Sequence, residues 1–160
     1  MKPLNDQQGV FPVKTQPIQI KPSPQRMRAG AVTTLIGFFI FSVGAQPGWY
    51  GWDKSAVVGF VQISVFLIGL GIICVGGYVA LGTLWKGMPR SIVADIGLRL
   101  VSTGYVIAAF SGWADIFGMG SQPLPAVPYF GPIQATGVLV GQVIIAIGFV
   151  MLIPFQRYMR

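Results

Sequence analysis

Side chains that perform chemistry are scarce in this chain. It contains no histidine and no glutamate, one cysteine (Cys74) and four aspartates, Asp6, Asp53, Asp95 and Asp115. Without imidazole there is no ordinary general base near neutral pH and no nitrogen ligand for zinc or haem. A single thiol makes neither an internal disulfide nor a thiolate cluster. No phosphate-cradling glycine loop, Ser-His-Asp set or carboxylate pair can be assembled from the rest. Neither enzymatic activity nor a bound metal or cofactor is expected. A quinone or pigment held by aromatic rings would need a more specific signal than the sequence carries.

The polar residues with suggestive spacing are few. Asp95 and Arg99 stand four apart, which on a helix places them on one face within reach of an ion pair. Gln62, Gln134 and Gln142 lie inside or at the edge of long apolar runs, where polar side chains are costly and commonly face an interior or a cavity. Ser64, Ser102, Thr103 and Tyr105 add further hydrogen-bonding capacity. The amides and hydroxyls are expected to join helices, Gln62 and Gln134 facing each other, since no embedded Glu, Lys or His accompanies them to make a substrate path.

These residues must be positioned by membrane-crossing helices. Charged residues make up 9% of the 160 and hydrophobic ones 53%, against about a quarter charged in soluble domains. Four stretches, 29–45, 56–84, 92–112 and 133–153, approach or exceed the roughly 20 residues that span a hydrocarbon core. Helices satisfy their own backbone in lipid, so an all-α bundle of four transmembrane helices is expected over 29–160. The second stretch, at 29 residues, predicts about 43 Å of helix and therefore tilt or projection.

Basic residues set the expected orientation. Lys2, Lys14, Lys21, Arg26 and Arg28 precede the first span, Lys86 and Arg90 join the second to the third, and Arg157 and Arg160 follow the fourth. Lys54 alone lies in the opposite loops. Bases in short loops stay cytoplasmic, so both termini are expected there, with a prokaryotic cytoplasmic membrane as the expected location. The first apolar run opens only after a long polar tail, so a cleaved leader is not expected.

Two patterns organise the spans. A shift of 72 superposes Gly59, Gln62, Leu67, Gly69, Ile72, Ile73 and Gly76 on Gly131, Gln134, Leu139, Gly141, Ile144, Ile145 and Gly148. A shift of 67 places Gly30 and Gly37 on Gly97 and Gly104. Two tandem helical-hairpin repeats of like orientation are the expected architecture. Within them glycine recurs every seventh residue, at Gly30, Gly37 and Gly44, at Gly69 and Gly76, at Gly97 and Gly104, and at Gly141 and Gly148. Such a stripe lets helix backbones approach along one seam, giving compact internal packing. Gly137 with Gly141 forms a further small-xxx-small pair, assigned to the same internal packing.

Outside the spans, residues 1–28 form a basic tail broken by five prolines, extended in character. Its apolar residues Val10, Phe11, Val13, Ile18 and Ile20 are the expected partner-binding surface. Trp49, Trp52, Trp113 and Tyr129 are expected at the membrane interface, and Phe117 and Met119 are expected to be covered by the bundle or a neighbour. The expected function is a noncatalytic structural or accessory membrane subunit that works by assembly with lipids, other membrane subunits or copies of itself, and not with nucleic acid. The alternative is a small transporter or channel formed between the two hairpins.

Overall fold

A computed structural model describes residues 24–52, 59–85, 89–119 and 130–154. Among these residues the secondary structure is helical: α1 Pro24–Ala45, α2 Phe60–Gly82, α3 Ile92–Gly112 and α4 Pro132–Met151. All four helices are long and apolar enough to cross a membrane. The residues proposed for partner binding in the tail, and Tyr129, lie outside the described residues.

The ends follow local chemistry. Helix α1 begins at Pro24, five residues before the expected 29, because proline is accommodated in a first turn whose N–H groups have no partner. Arg26 and Arg28 therefore belong to the helix and not to the tail. Helix α2 is shorter than the 29 residues expected: Gly59 is an extended N-cap, and past Gly82 the chain tightens into a 3₁₀ turn, Thr83–Trp85. There the Thr83 hydroxyl donates to Ala80 O at 2.6 Å. The α-helix of twenty-three residues rises about 35 Å, and with the 3₁₀ turn the span Phe60–Trp85 is 26 residues long, so the excess length expected from 29 is reduced only in part. The Ser91 side chain caps α3 by accepting from Ala94 N at 3.2 Å. After α1, a 3₁₀ turn Pro47–Tyr50 closes on Gly51, whose φ of 69° is the left-handed conformation glycine tolerates.

The helices pack as two tight pairs, α1 on α2 and α3 on α4, with α2 carrying the contacts between pairs. The arrangement is thus less closed than the compact bundle expected, since α1 lies against α2 and turns most of its surface outward. Ile63, Phe66, Leu67 and Leu70 of α2 meet Val101 and Ala108 of α3 and Val138 and Ile145 of α4 in one apolar cluster. Phe66 links it outward, edge-on to Phe41 of α1 at 6.1 Å and to Phe130 before α4 at 6.5 Å.

Candidate functional site

The glycine seams are the most tightly built feature of the molecule. Gly30, Gly37, Gly44, Gly69, Gly76, Gly97, Gly104, Gly141 and Gly148 are all buried. In the first pair a Cβ on Gly37 would stand 2.7 Å from Ile73 N and 3.0 Å from Gly69 O, and one on Gly76 would stand 2.9 Å from Gly30 O. In the second pair a Cβ on Gly104 would stand 2.6 Å from Gly141 O, and one on Gly97 would stand 2.7 Å from Gly148 O. Backbone therefore lies against backbone across both pairs, which only hydrogen in place of a side chain permits. One level further along, the partners change sides: Gly44 of α1 accommodates Phe66 of α2, whereas Gly137 of α4 accommodates Ser111 of α3. Gly137 and Gly141 thus both face α3.

A different device joins the pairs. Gly71 of α2 receives the Tyr105 ring, whose hydroxyl lies 2.9 Å from where a Cβ would be, and Gly77 receives Phe149 at 2.7 Å. Gly112 of α3 receives Leu67 at 3.1 Å and Ile63 at 3.3 Å. These are side chains seated on glycines, not backbones in contact. The Tyr105 hydroxyl also donates to Leu67 O at 3.4 Å. Gly71, Gly77 and Gly112 fall outside the seven-residue stripes, so the periodicity does not single them out; Tyr105 is the one member of this contact already flagged by its polarity.

The polar candidates behave unequally. Gln134 is 2% exposed, and its Oε1 accepts from Gly131 N at 2.8 Å, half of a capping box at the start of α4. Its Nε2 is buried without a hydrogen-bond partner, and no bond joins it to Gln62. Gln62 and Gln142 are half-buried and stand outside the apolar cluster. Expected links between helices through serine and threonine are replaced by bonds within a helix: Ser64 donates to Phe60 O, Ser102 to Leu98 O, Thr34 to Gly30 O and Thr136 to Pro132 O. A hydroxyl reaching back one turn is already satisfied and asks nothing of a neighbour.

Asp95 and Arg99 form the anticipated pair, Nη2 to Oδ2 at 3.3 Å, but on the outside of α3: the Arg99 side chain is 80% exposed. Asp115, by contrast, is buried in the turn after α3 with Oδ1 unpartnered, and so is Nε1 of Trp113. Trp113 packs against the apolar cluster and is half-buried, whereas Trp49 and Trp52 are exposed. Phe117 and Met119 are also exposed, so the bundle does not cover them; Phe117 stacks on Phe110 at 5.2 Å. At the other end, Arg90 donates to the Tyr78 hydroxyl at 3.0 Å with its guanidinium over the ring, and the Trp85 indole donates to Leu152 O at 3.0 Å. Sequence spacing gave no sign of either contact, because each joins residues distant along the chain.

Among the described residues no group of three or more His, Cys, Asp or Glu is placed to hold a metal ion. Comparison of the chain with protein-family models, with curated proteins and with solved structures yields no match.

Proposed function

We propose that the chain is an integral membrane protein without catalytic activity, a structural or accessory subunit that works through assembly in the membrane. The carrying observation is how polarity is distributed: where α2 meets α3 and α4 the packed side chains are mostly apolar, the Tyr105 hydroxyl there is already bonded to Leu67 O, the buried polar groups Gln134 and Asp115 sit at a helix start and in the turn after α3, and the Asp95–Arg99 ion pair lies on the outside. A solute path would call for the reverse, with polar groups lining the junction of the hairpins and apolar ones outside. The transporter reading therefore ranks second.

The proposal includes two tandem hairpin repeats. Its support is that the pairs Gly30 with Gly76 and Gly37 with Gly69 reappear at positions shifted by 67 and 72 as Gly97 with Gly148 and Gly104 with Gly141. Gly59 and Gly131, also 72 apart, cap α2 and α4 with nearly equal dihedrals, φ −83° and ψ 163° against φ −79° and ψ 164°.

Gentle extraction followed by native mass determination tests the assembly reading. The expected mass is that of two or more copies or of this chain with another protein; a bare 17.2 kDa chain would remove it. A second expectation concerns orientation: with the bases biased as they are, both termini face the cytoplasm. In a cysteine-free background, cysteines at Ser23 and Gln156 should resist an external thiol reagent while one at Ser121 reacts. Labelling in the opposite pattern inverts the topology.

A further inference from the structure

We propose that the outward face of α3 is a seam between two copies of this chain, closed by a four-member charge layer of Asp95 and Arg99 from each copy. The inference rests on the reading of the chain as a membrane protein that acts by assembly.

The face is defined by what the other side of α3 does. Gly97, Gly104 and Ala108 are committed to α4, and Gly112 to α2. That leaves Ile92, Ile96, Arg99, Thr103, Val106 and Phe110 exposed, with Ile92 81% and Val106 63% accessible. Their spacing alternates four and three, the repeat that keeps one stripe toward a neighbouring helix in a left-handed pair. Apolar residues alone would be satisfied by lipid. The ion pair, about one turn inside a helix read as crossing the membrane, is costlier there, because charged side chains within such spans commonly pair or face protein.

The geometry of the pair favours a second copy as the occupant. Helical side chains lean toward the N-terminus, and Arg99 follows this rule by reaching back one turn to Asp95. Both charges consequently lie at one height, about one turn inside α3. A two-fold axis along the membrane normal brings equal heights together, so two such faces put two guanidiniums and two carboxylates in one layer. One Nη of Arg99 is used on its own Asp95, and among the described residues the other guanidinium donors meet no acceptor, which leaves them to the partner copy's carboxylate. The contact is isologous, each Arg meeting the other copy's Asp, and the layer is neutral. The Ser102 hydroxyl, bonded to Leu98 O at 3.2 Å, needs no partner there.

The test uses the full chain in its membrane with Cys74→Ser as background. Thr103→Cys on the seam should oxidise to a disulfide-linked dimer, whereas Leu139→Cys on the exposed face of α4 should give at least tenfold less. Charge reversal then asks whether the layer spans two copies. Asp95→Arg makes the face doubly basic and Arg99→Asp makes it doubly acidic, so each variant alone should lose at least tenfold of its dimer. Co-expressed, the two should pair with each other at the wild-type level, which an ion pair confined to one chain does not predict. Circular dichroism and extraction yield identify a variant that has simply misfolded, and the Thr103→Cys and Leu139→Cys comparison decides the matter without charge reversal. Equal crosslinking at both cysteines, or failure of the folded mixture to pair, overturns the proposal. So does a native mass showing one copy with phospholipid or with a different protein; of these outcomes only the single copy without another protein removes the assembly reading as well.

Discussion

Leucine in place of Gly69 or of Gly141 is expected to prevent its hairpin from closing, with little folded protein recovered from the membrane. A first side-chain atom at Gly69 would run into the Phe41 backbone nitrogen and stand 2.9 Å from Gly37 O; at Gly141 it would stand 2.5 Å from Gly104 O and 2.7 Å from Ala108 N. Ordinary overpacking costs about 1–3 kcal/mol because neighbouring side chains rotate aside. Backbone has no such freedom, so the helices must separate along the whole seam, and the cost should exceed that range. Gly82→Ala is the control for a glycine outside the seams: its Cβ meets nothing nearer than the Arg90 guanidinium at 3.9 Å, and it should be neutral or gain about 0.5–1 kcal/mol because the unfolded chain has less conformational entropy to lose. Thermal unfolding in detergent, read by loss of a discrete size-exclusion peak, separates them. If both leucine variants kept the wild-type peak and melting temperature, backbone contact would not be what holds the pairs.

The contrast between seam and socket explains which parts of this fold are legible in the sequence. Gly30 through Gly148 announce themselves because a backbone contact repeated at each second turn demands the same small residue every seventh position. The limits of α3 are equally readable, since Ser91 is a capping residue and Gly112 ends the apolar run before Trp113. Gly71 with Tyr105 and Gly77 with Phe149 are not readable in this way. Each is a single knob on a single glycine, set by how one hairpin rotates against the other, and no periodicity records that rotation. The same limit applies to Asp95 and Arg99. Their spacing gives the ion pair, but the choice between an inward and an outward face is fixed by which neighbouring stripe, here Gly97 and Gly104, the other helix claims.

Polarity misleads for a related reason. Ser64, Ser102, Thr34 and Thr136 look like glue between helices when read as a composition, yet a β-hydroxyl one turn from a carbonyl finds its acceptor without leaving its own helix. Gln134 is likewise drawn to the nearest unsatisfied donor, Gly131 N at the opening of α4, where its side chain organises the helix end instead of meeting Gln62. Short-range bonding thus removes most polar side chains from the contact between hairpins and leaves that contact to Leu67, Ile63, Tyr105 and Phe149.

Leu67→Ala should therefore loosen the two hairpins from each other while leaving each hairpin intact. Leu67 is 1% exposed, sits in the centre of the apolar cluster and seats its side chain on Gly112 of α3. In a soluble core the truncation would cost about 2–5 kcal/mol, part from lost transfer free energy and part from the cavity left behind. Between helices in lipid the first part is small, because an alkyl group gains little by leaving an alkyl solvent. The cavity part remains, since Gly112 has no side chain that can move into the space. A loss of about 2 kcal/mol follows, at the low end of the soluble range. Spin labels in the Cys74→Ser background resolve where it falls. A pair on Ile68 of α2 and Val143 of α4, both exposed and outside the α3 seam, spans the hairpins, and a pair on Leu35 of α1 and Val75 of α2 reports on the first hairpin alone. The distance distribution of the spanning pair should broaden while that of the other stays narrow. Equal broadening of both would mean that α1 is held through the same cluster as α3 and α4, and that the molecule behaves as one bundle instead of two seams joined at a socket.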